Sequence, residues 1–135
     1  MIQPDRPGPV TPSPFVVWYN TYCPVCRAGI DRQRNRLLRA VKAGTIEFRN
    51  INLEPDALAA HGVGVEAVRR RLYGMDGTGR VYVGIDCAIE IWRRTPGEAW
   101  IARLLETSLL HPLSRWAYDR FTDRLYAWNR CKGHW

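Results

Sequence analysis

Residues 15–26 read FVVWYNTYCPVC, and this stretch decides the fold that we predict for the chain. Phe15 to Tyr19 is a continuous run of aromatic and β-branched residues, which is typical of a strand buried on both faces. Cys23-Pro24-Val25-Cys26 follows at once, and from Pro24 onward apolar residues recur at helical spacing until Gly44. The sequence therefore predicts a central strand, a turn that carries two cysteines, and a helix over residues 24–43.

The segments that follow this helix indicate a mixed sheet. Residues 45–51 alternate between apolar and polar side chains and predict a second strand, which a helical crossover places parallel to the first. Glu54-Pro55 predicts the start of a short helix that ends near Ala60. Residues 76–79 contain two glycines and predict the turn of a hairpin between strands at 71–75 and 80–83.

The order of these elements predicts the fold class. Helical patterns complete the chain over residues 87–94, 98–107 and 112–129. The whole order is that of an α/β, thioredoxin-like domain, in which a central mixed four-stranded sheet is flanked by helices and additional helices lie at the C-terminal end. Residues 1–14 contain five prolines and predict a flexible tail, whereas residues 15–135 predict a single domain.

Composition indicates where the chain is expected to act. None of its 135 residues belongs to an apolar run long enough for a membrane span, and the first fourteen lack the apolar core of a signal peptide. We therefore expect a cytoplasmic protein, in which cysteines are more often catalytic or metal-binding than structural. The formal net charge of +7 comes chiefly from arginines, which we assign to solvated helix faces.

Cys23 and Cys26 have the spacing of a redox-active pair at the start of a helix. Exchange with a disulfide requires a thiolate, and the free N–H groups and positive dipole end of a first helical turn favour negative charge on the Cys23 sulfur. Cys26 shares an apolar stripe with Ile30 and Leu37, which keeps its thiol protonated. The pattern predicts that Cys23 is the nucleophile, open to its substrate, that Cys26 is the buried resolving residue, and that the reaction needs no cofactor.

A family resemblance supports this interpretation. Residues 18–26, WYNTYCPVC, resemble the opening motif of the DCC family of predicted thiol-disulfide oxidoreductases, in which Tyr-Asp-Gly commonly precedes C-x-x-C. Residues 76–86 resemble the family's hairpin and Gly-x-Asp turn, and residues 126–130 resemble its aromatic C-terminal segment. The resemblance spans about residues 15–131 and implies a thioredoxin-like fold with dithiol activity.

Six further residues are candidates for supporting roles. Asn20 stands where the family has an aspartate, and an amide cannot act as the base that deprotonates a resolving thiol. Asp86 is the alternative base if the hairpin returns it to the site, and its other interpretation is a cap on the next helix. Arg27 adds positive potential unless it faces solvent, and Cys87 is a third thiol that we expect to be buried. The motif adds its neighbours Tyr22 and Pro24.

Zinc binding is the main alternative function. Cys23, Cys26, Cys131 and His134 offer four ligands for a tetrahedral structural site, provided that the two ends of the chain meet. Residues at a C-terminus are usually mobile, and Cys26 would have to leave its apolar stripe. We therefore prefer the redox interpretation, with no metal.

A basic and aromatic interaction module is the second alternative. Arg69-Arg70-Arg71 suits phosphates, and five apolar residues near the C-terminus suit a membrane surface: Trp116, Phe121, Leu125, Tyr126 and Trp128. Such residues more often pack against a sheet, so nucleic acid binding and peripheral membrane contact are the minor interpretations. The expected partners are a protein or small-molecule thiol or disulfide substrate and a recycling reductase or oxidant that the sequence does not identify.

Overall fold

The sheet lies at the centre of the computed structural model, which describes residues 14–133. Its strands are β1 (Phe15–Tyr19), β2 (Ile46–Asn50), β3 (Tyr73–Met75) and β4 (Val81–Val83), in the order β2-β1-β3-β4. β1 pairs with β2 in parallel and with β3 antiparallel, and β3 pairs antiparallel with β4. The predicted mixed four-stranded sheet of a thioredoxin-like α/β fold is confirmed. Except for Pro14, the predicted tail lies outside the described residues.

Strand β1 separates two hydrophobic cores. Phe15, Val17 and Tyr19 pack into a core on one face of the sheet, and Trp18 packs into another core with Leu58. Side chains alternate between the two faces of a strand, so a strand that is apolar throughout contributes to both cores. The prediction of a central, doubly buried strand is confirmed.

The helix predicted over residues 24–43 is divided into two. Helix α1 spans Pro24–Arg36 and helix α2 spans Leu38–Ala43. Between them the Leu37 N–H is shared by the carbonyl oxygens of Gln33 and Arg34, at 2.9 and 3.2 Å. This tightened turn interrupts the helix while the Leu37 side chain stays in the core. The predicted stop at Gly44 is confirmed, since this glycine ends α2 with φ +76°.

The segment after β2 differs from the prediction. The helix expected from Glu54 to about Ala60 is replaced by turns and a single 3-10 turn at Ala59–His61, in which the bonds join residues three apart. The tighter winding accompanies full burial of Leu58 in the second core. Helix α3 (Val65–Arg70) follows; the sequence pattern did not predict it, because six residues carry too little periodicity.

Three helices complete the fold: α4 (Ile85–Arg94), α5 (Ala99–Leu105) and α6 (Leu110–Lys132). They confirm the three predicted helical segments, and α6 extends beyond the predicted bounds at both ends. No helix among residues 14–133 is long and apolar enough to cross a bilayer.

Helix α6 is attached by its inner face to the rest of the domain. The Tyr126 hydroxyl donates to Glu66 of α3 at 2.6 Å, and Tyr126 is buried. The prediction that the C-terminal aromatic residues pack against the sheet is wrong for Trp116, Phe121 and Trp128, which are exposed. These three lie away from the inner face because α6 is a single long helix whose buried stripe passes through Thr122, Tyr126 and Asn129.

Candidate active site

A tight turn connects β1 to the cysteine pair. The backbone N–H of Cys23 donates to the carbonyl oxygen of Asn20 at 3.2 Å, and the Asn20 side-chain Oδ1 accepts from the N–H of Tyr22 at 3.1 Å. An asparagine side chain that bonds the backbone two residues later is a recurrent way to close such turns. The turn places Cys23 at the N-cap of α1, at the carboxyl end of the central strand.

Cys23 is held as a hydrogen-bond acceptor. Its Sγ accepts the backbone N–H of Cys26 at 3.2 Å, so the sulfur occupies the position of an N-cap oxygen. The hydrogen bond from the Cys26 thiol lowers the pKa of Cys23 to about 6, against the opposing effect of burial. The backbone of Cys26 and the side chain of Asn129 lower this pKa further. The shift has the direction that the sequence predicts for a thiol at a helix N-terminus.

Cys26 has the complementary character. Its thiol donates to Cys23, and this bond, together with burial and the negative charge on Cys23, raises the pKa of Cys26. Both cysteines are free thiols. The pair therefore holds one proton between two sulfurs, with the negative charge on Cys23, which is the arrangement expected of an attacking thiolate and a protonated resolving thiol.

The exposure of the two cysteine residues is the reverse of the prediction. Cys23 is 0% exposed, whereas Cys26 is partly exposed. The expectation that Cys23 is open to a substrate is therefore wrong for this conformation. A side chain from α6 reaches the site, since Asn129, itself 1% exposed, hydrogen-bonds to Cys23. Periodicity alone could not show that Asn129 contacts Cys23, because the two residues are far apart in the chain. It could have shown that Asn129 lies on the buried stripe of α6, three residues after Tyr126.

An apolar cavity of about 340 Å³ lies beside Cys26. It opens between α1, α4 and α6, and its apolar lining includes Val25, Ile30, Ile91, Tyr118, Phe121 and Leu125. Phe121 and Val25 are exposed at its margin. The cavity gives Cys26, and not Cys23, a route to solvent.

Comparison with known proteins agrees with this geometry. The model of the DCC1-like thiol-disulfide oxidoreductase family matches residues 17–131. The chain belongs to this family. No curated protein and no solved structure matches the chain. The family assignment that the sequence motifs indicated is thereby confirmed.

In this DCC1-like protein Asn20 supports the turn. Its Oδ1 accepts from the Asn52 side-chain amide at 2.7 Å, and the Asn52 Oδ1 accepts from the Arg69 guanidinium at 3.0 and 3.2 Å. Asn52 was not among the predicted site residues, and Arg69 was considered only as a ligand of phosphates. The position of Asn52 near Asn20 could have been predicted. Asn52 follows β2, and the carboxyl ends of parallel strands lie at the same edge of a sheet. The amide chain ties the cysteine turn to α3.

The proposed alternative base, Asp86, has other partners. It lies in the first turn of α4, where the N-cap is Gly84, so Asp86 is not the capping residue. Its carboxylate accepts from His111 Nε2 at 2.6 Å and from Arg115 at 3.3 Å. It lines a separate polar cavity of about 530 Å³, whose lining does not include Cys26.

Cys87 belongs to the core of this DCC1-like protein. It is fully buried beside Phe15 and Gly74, and burial raises its pKa. The prediction that this third thiol is buried is confirmed. Three other candidates from the motif, Tyr22, Pro24 and Arg27, are exposed around the start of α1.

The described residues do not assemble the alternative zinc site. Cys131 is exposed near the end of α6, whereas Cys23 is buried. His134 lies outside the described residues. Within residues 14–133, no group of three or more histidine, cysteine, aspartate or glutamate side chains is arranged to hold a metal ion.

Proposed function

We propose that this chain exchanges its Cys23–Cys26 dithiol with disulfides, as a thiol-disulfide oxidoreductase that acts on protein or small-molecule substrates. The observation that supports this most directly is the position of the Cys23 Sγ, which accepts the Cys26 N–H at the start of α1 and carries a pKa lowered to about 6. At neutral pH most of this thiol is ionised, so the nucleophile exists before a substrate arrives. Membership of the DCC1-like family supports the same chemistry.

The exchange proceeds in two substitutions at sulfur. The Cys23 thiolate attacks one sulfur of a substrate disulfide; the substrate S–S bond breaks, a mixed disulfide forms, and the departing substrate thiolate takes up a proton. Cys26 then loses its proton and attacks the Cys23 sulfur, which releases the second substrate thiolate. Two electrons pass to the substrate, the domain keeps a Cys23–Cys26 disulfide, and a dithiol reductant returns it to the starting state. The reverse sequence oxidises a substrate dithiol.

Burial of Cys23 adds a step before the attack. Cys23 is 0% exposed and so cannot contact an external disulfide in this conformation, and Asn129, near the end of α6, hydrogen-bonds to it. The apolar cavity beside Cys26 supplies the direction of approach. We propose that opening of α6 at this point precedes formation of the mixed disulfide.

A redox titration tests the proposed chemistry. In mixtures of reduced and oxidised dithiothreitol, the wild-type protein is expected to lose and regain two hydrogens reversibly by mass spectrometry. Cys23→Ser abolishes this change and forms no mixed disulfide at this position. With oxidised glutathione, whose single thiol cannot cyclise, Cys26→Ser accumulates the mixed disulfide on Cys23. Cys87→Ala and Cys131→Ser serve as matched controls that retain the two-hydrogen change. The proposal is rejected if the two-hydrogen change requires Cys87 or Cys131, or if the wild-type protein shows no such change.

The opening step is tested separately by kinetics. With increasing concentration of an aromatic disulfide reagent, the rate of Cys23 modification is expected to reach a plateau, because opening limits the reaction. Asn129→Ala raises the plateau, and the exposed Asn35→Ala, in α1, leaves it unchanged. A rate that stays proportional to reagent concentration contradicts the opening step while leaving the dithiol chemistry intact.

A further inference from the structure

The outward stripe of α6 differs from an ordinary solvent-facing helix surface. We define it as Leu109, Leu113, Trp116, Arg120 and Arg124, which recur at intervals of three or four residues and so lie on one side of the helix. The buried stripe of α6 lies on the other side. The outward stripe is therefore free of the contacts that fix the helix to the domain.

The first half of this stripe is apolar and strongly exposed. Leu109 is 80% exposed, Leu113 is 59% exposed and Trp116 is 60% exposed. Single exposed apolar residues are common on protein surfaces, but three that follow one another from the N-cap of α6 into its second turn form a patch. Leucine and tryptophan are the residues that enter the boundary between lipid headgroups and acyl chains.

The second half of the stripe is positively charged. Both arginines are exposed, and the Arg120 guanidinium lies over the Trp116 ring at 5.6 Å from its centroid. The two acidic residues of α6 do not neutralise them, because Asp119 pairs with Arg71, and Asp123 pairs with Arg70 and Arg71. Within residues 14–133, the stripe thus joins apolar insertion residues to arginines that have no ion-pair partner, on a chain of net charge +7.

We propose that this outward stripe binds the surface of an anionic lipid bilayer, with α6 lying parallel to the membrane plane. The leucines and Trp116 enter the interface, and Arg120 and Arg124 contact the phosphates and carboxylates of the headgroups. An anionic lipid surface is favoured because it offers negative charge to the arginines and an apolar interior to the leucines and Trp116. Because Asn129, which contacts Cys23, lies on the inner face of α6, the contact leaves the cysteine pair uncovered by lipid.

Vesicle sedimentation with the full chain tests this proposal. At low salt the protein is expected to bind vesicles of phosphatidylcholine mixed with phosphatidylserine, and to bind pure phosphatidylcholine vesicles at least about fivefold more weakly for each arginine engaged. The double variant Arg120→Glu/Arg124→Glu loses binding by about 25-fold or more. The matched control Arg39→Glu/Lys42→Glu makes the same charge change on the exposed face of α2 and keeps most of the binding.

A second variant separates the insertion of apolar side chains into the bilayer from the attraction of the arginines to anionic headgroups. Leu113→Glu is expected to abolish binding even where the arginines are intact, and added salt weakens wild-type binding without removing the insertion contribution. Equal loss in the α2 control would show a nonspecific effect of net charge and overturn the assignment. So would binding to nucleic acid in preference to vesicles, or a dimer that Trp116→Ala converts to a monomer. Far-ultraviolet circular dichroism of Arg120→Glu/Arg124→Glu and of Leu113→Glu that matches the wild type shows that these variants remain folded.

Discussion

The Asn129 side chain hydrogen-bonds the sulfur of Cys23, and this contact joins the last turns of α6 to the first turn of α1. The amide is a donor from outside the cysteine motif to a thiolate that is otherwise bound by its own helix. A buried anion requires such donors, because it has lost those of water. The contact therefore connects the acidity of Cys23 to the position of α6.

Replacement of Asn129 by leucine is expected to raise the pKa of Cys23 toward that of an ordinary thiol. One hydrogen bond to a charged group contributes about 1.5–3 kcal/mol, or about one to two pKa units. A pH titration of the thiolate ultraviolet absorbance measures the shift, with the Cys23 step identified by its loss in Cys23→Ser. Asn35→Leu, on the exposed side of α1, is the control. An unchanged midpoint in folded Asn129→Leu would remove Asn129 from the site.

The stability of the reduced protein is expected to increase as the pH rises from about 6 toward 9. The Cys26 thiol and other donors lower the folded pKa of Cys23 to about 6, below the ordinary value of 9.0, so over this range the unfolded chain binds more protons than the folded one. The contribution is fully present above the unfolded pKa and is lost as the pH falls through about 6. Urea denaturation at several pH values measures it, and Cys23→Ser should show a flatter profile.

Glu98 is expected to make the fold sensitive to acid. Burial would raise its pKa, but hydrogen bonds from Arg32 and Gln33 and the charge of Arg36 outweigh burial, so the folded pKa is lowered. A lowered carboxyl pKa stabilises the fold above the ordinary glutamate range, and this stabilisation is lost as the pH falls through the folded pKa. Glu98→Gln should cost about 1–3 kcal/mol of unfolding free energy at neutral pH and weaken the acid dependence. For the more exposed ion pair of Glu47 with Arg49, Glu47→Gln should cost less than about 1 kcal/mol.

A side chain at Gly74 in β3 is expected to destabilise the fold. A Cβ there would lie 2.7 Å from the Phe15 ring and 2.9 Å from the Cys87 Sγ, both in the core. Gly74→Ala should therefore cost about 1–3 kcal/mol through overpacking. Gly29→Ala is the matched control, because its Cβ meets nothing within 4 Å and alanine favours a helix, so stability should rise by about 0.5–1 kcal/mol. Thermal denaturation of the two variants should show opposite shifts.

The parts of the fold that the sequence predicted are those with local causes. β1 was predicted by its unbroken apolar run, the hairpin by its glycines, and α1 by Pro24 at its start. Position in the sheet followed because a strand that buries both faces has to be central, which the order β2-β1-β3-β4 confirms. Helix α3 and the 3-10 turn at Ala59–His61 were not predictable in this way, because packing of Leu58 and Val68 into the second core determines them.

The sequence predicted the acidity of Cys23 but not the burial of this residue. The acidity of Cys23 follows from its place at a helix N-terminus, which is a local property of the motif. Its contact with Asn129 of α6 joins residues far apart in the chain, which no local pattern reveals. The contact of Asn52 with Asn20 was partly predictable. The parallel pairing of β1 with β2 was expected, and it places the residues that follow the two strands at the same edge of the sheet.

Concealment of the Cys23 sulfur also bears on how the protein withstands peroxide. Oxidation to sulfenic and then irreversible higher acids requires both ionisation and contact with the oxidant, and an acidic thiol on the surface would meet both conditions. In the closed arrangement the ionised sulfur is withheld from peroxide, while the exposed Cys131 is the thiol that peroxide reaches first. In the proposed exchange, the same enclosure that delays a substrate thus preserves the nucleophile between turnovers.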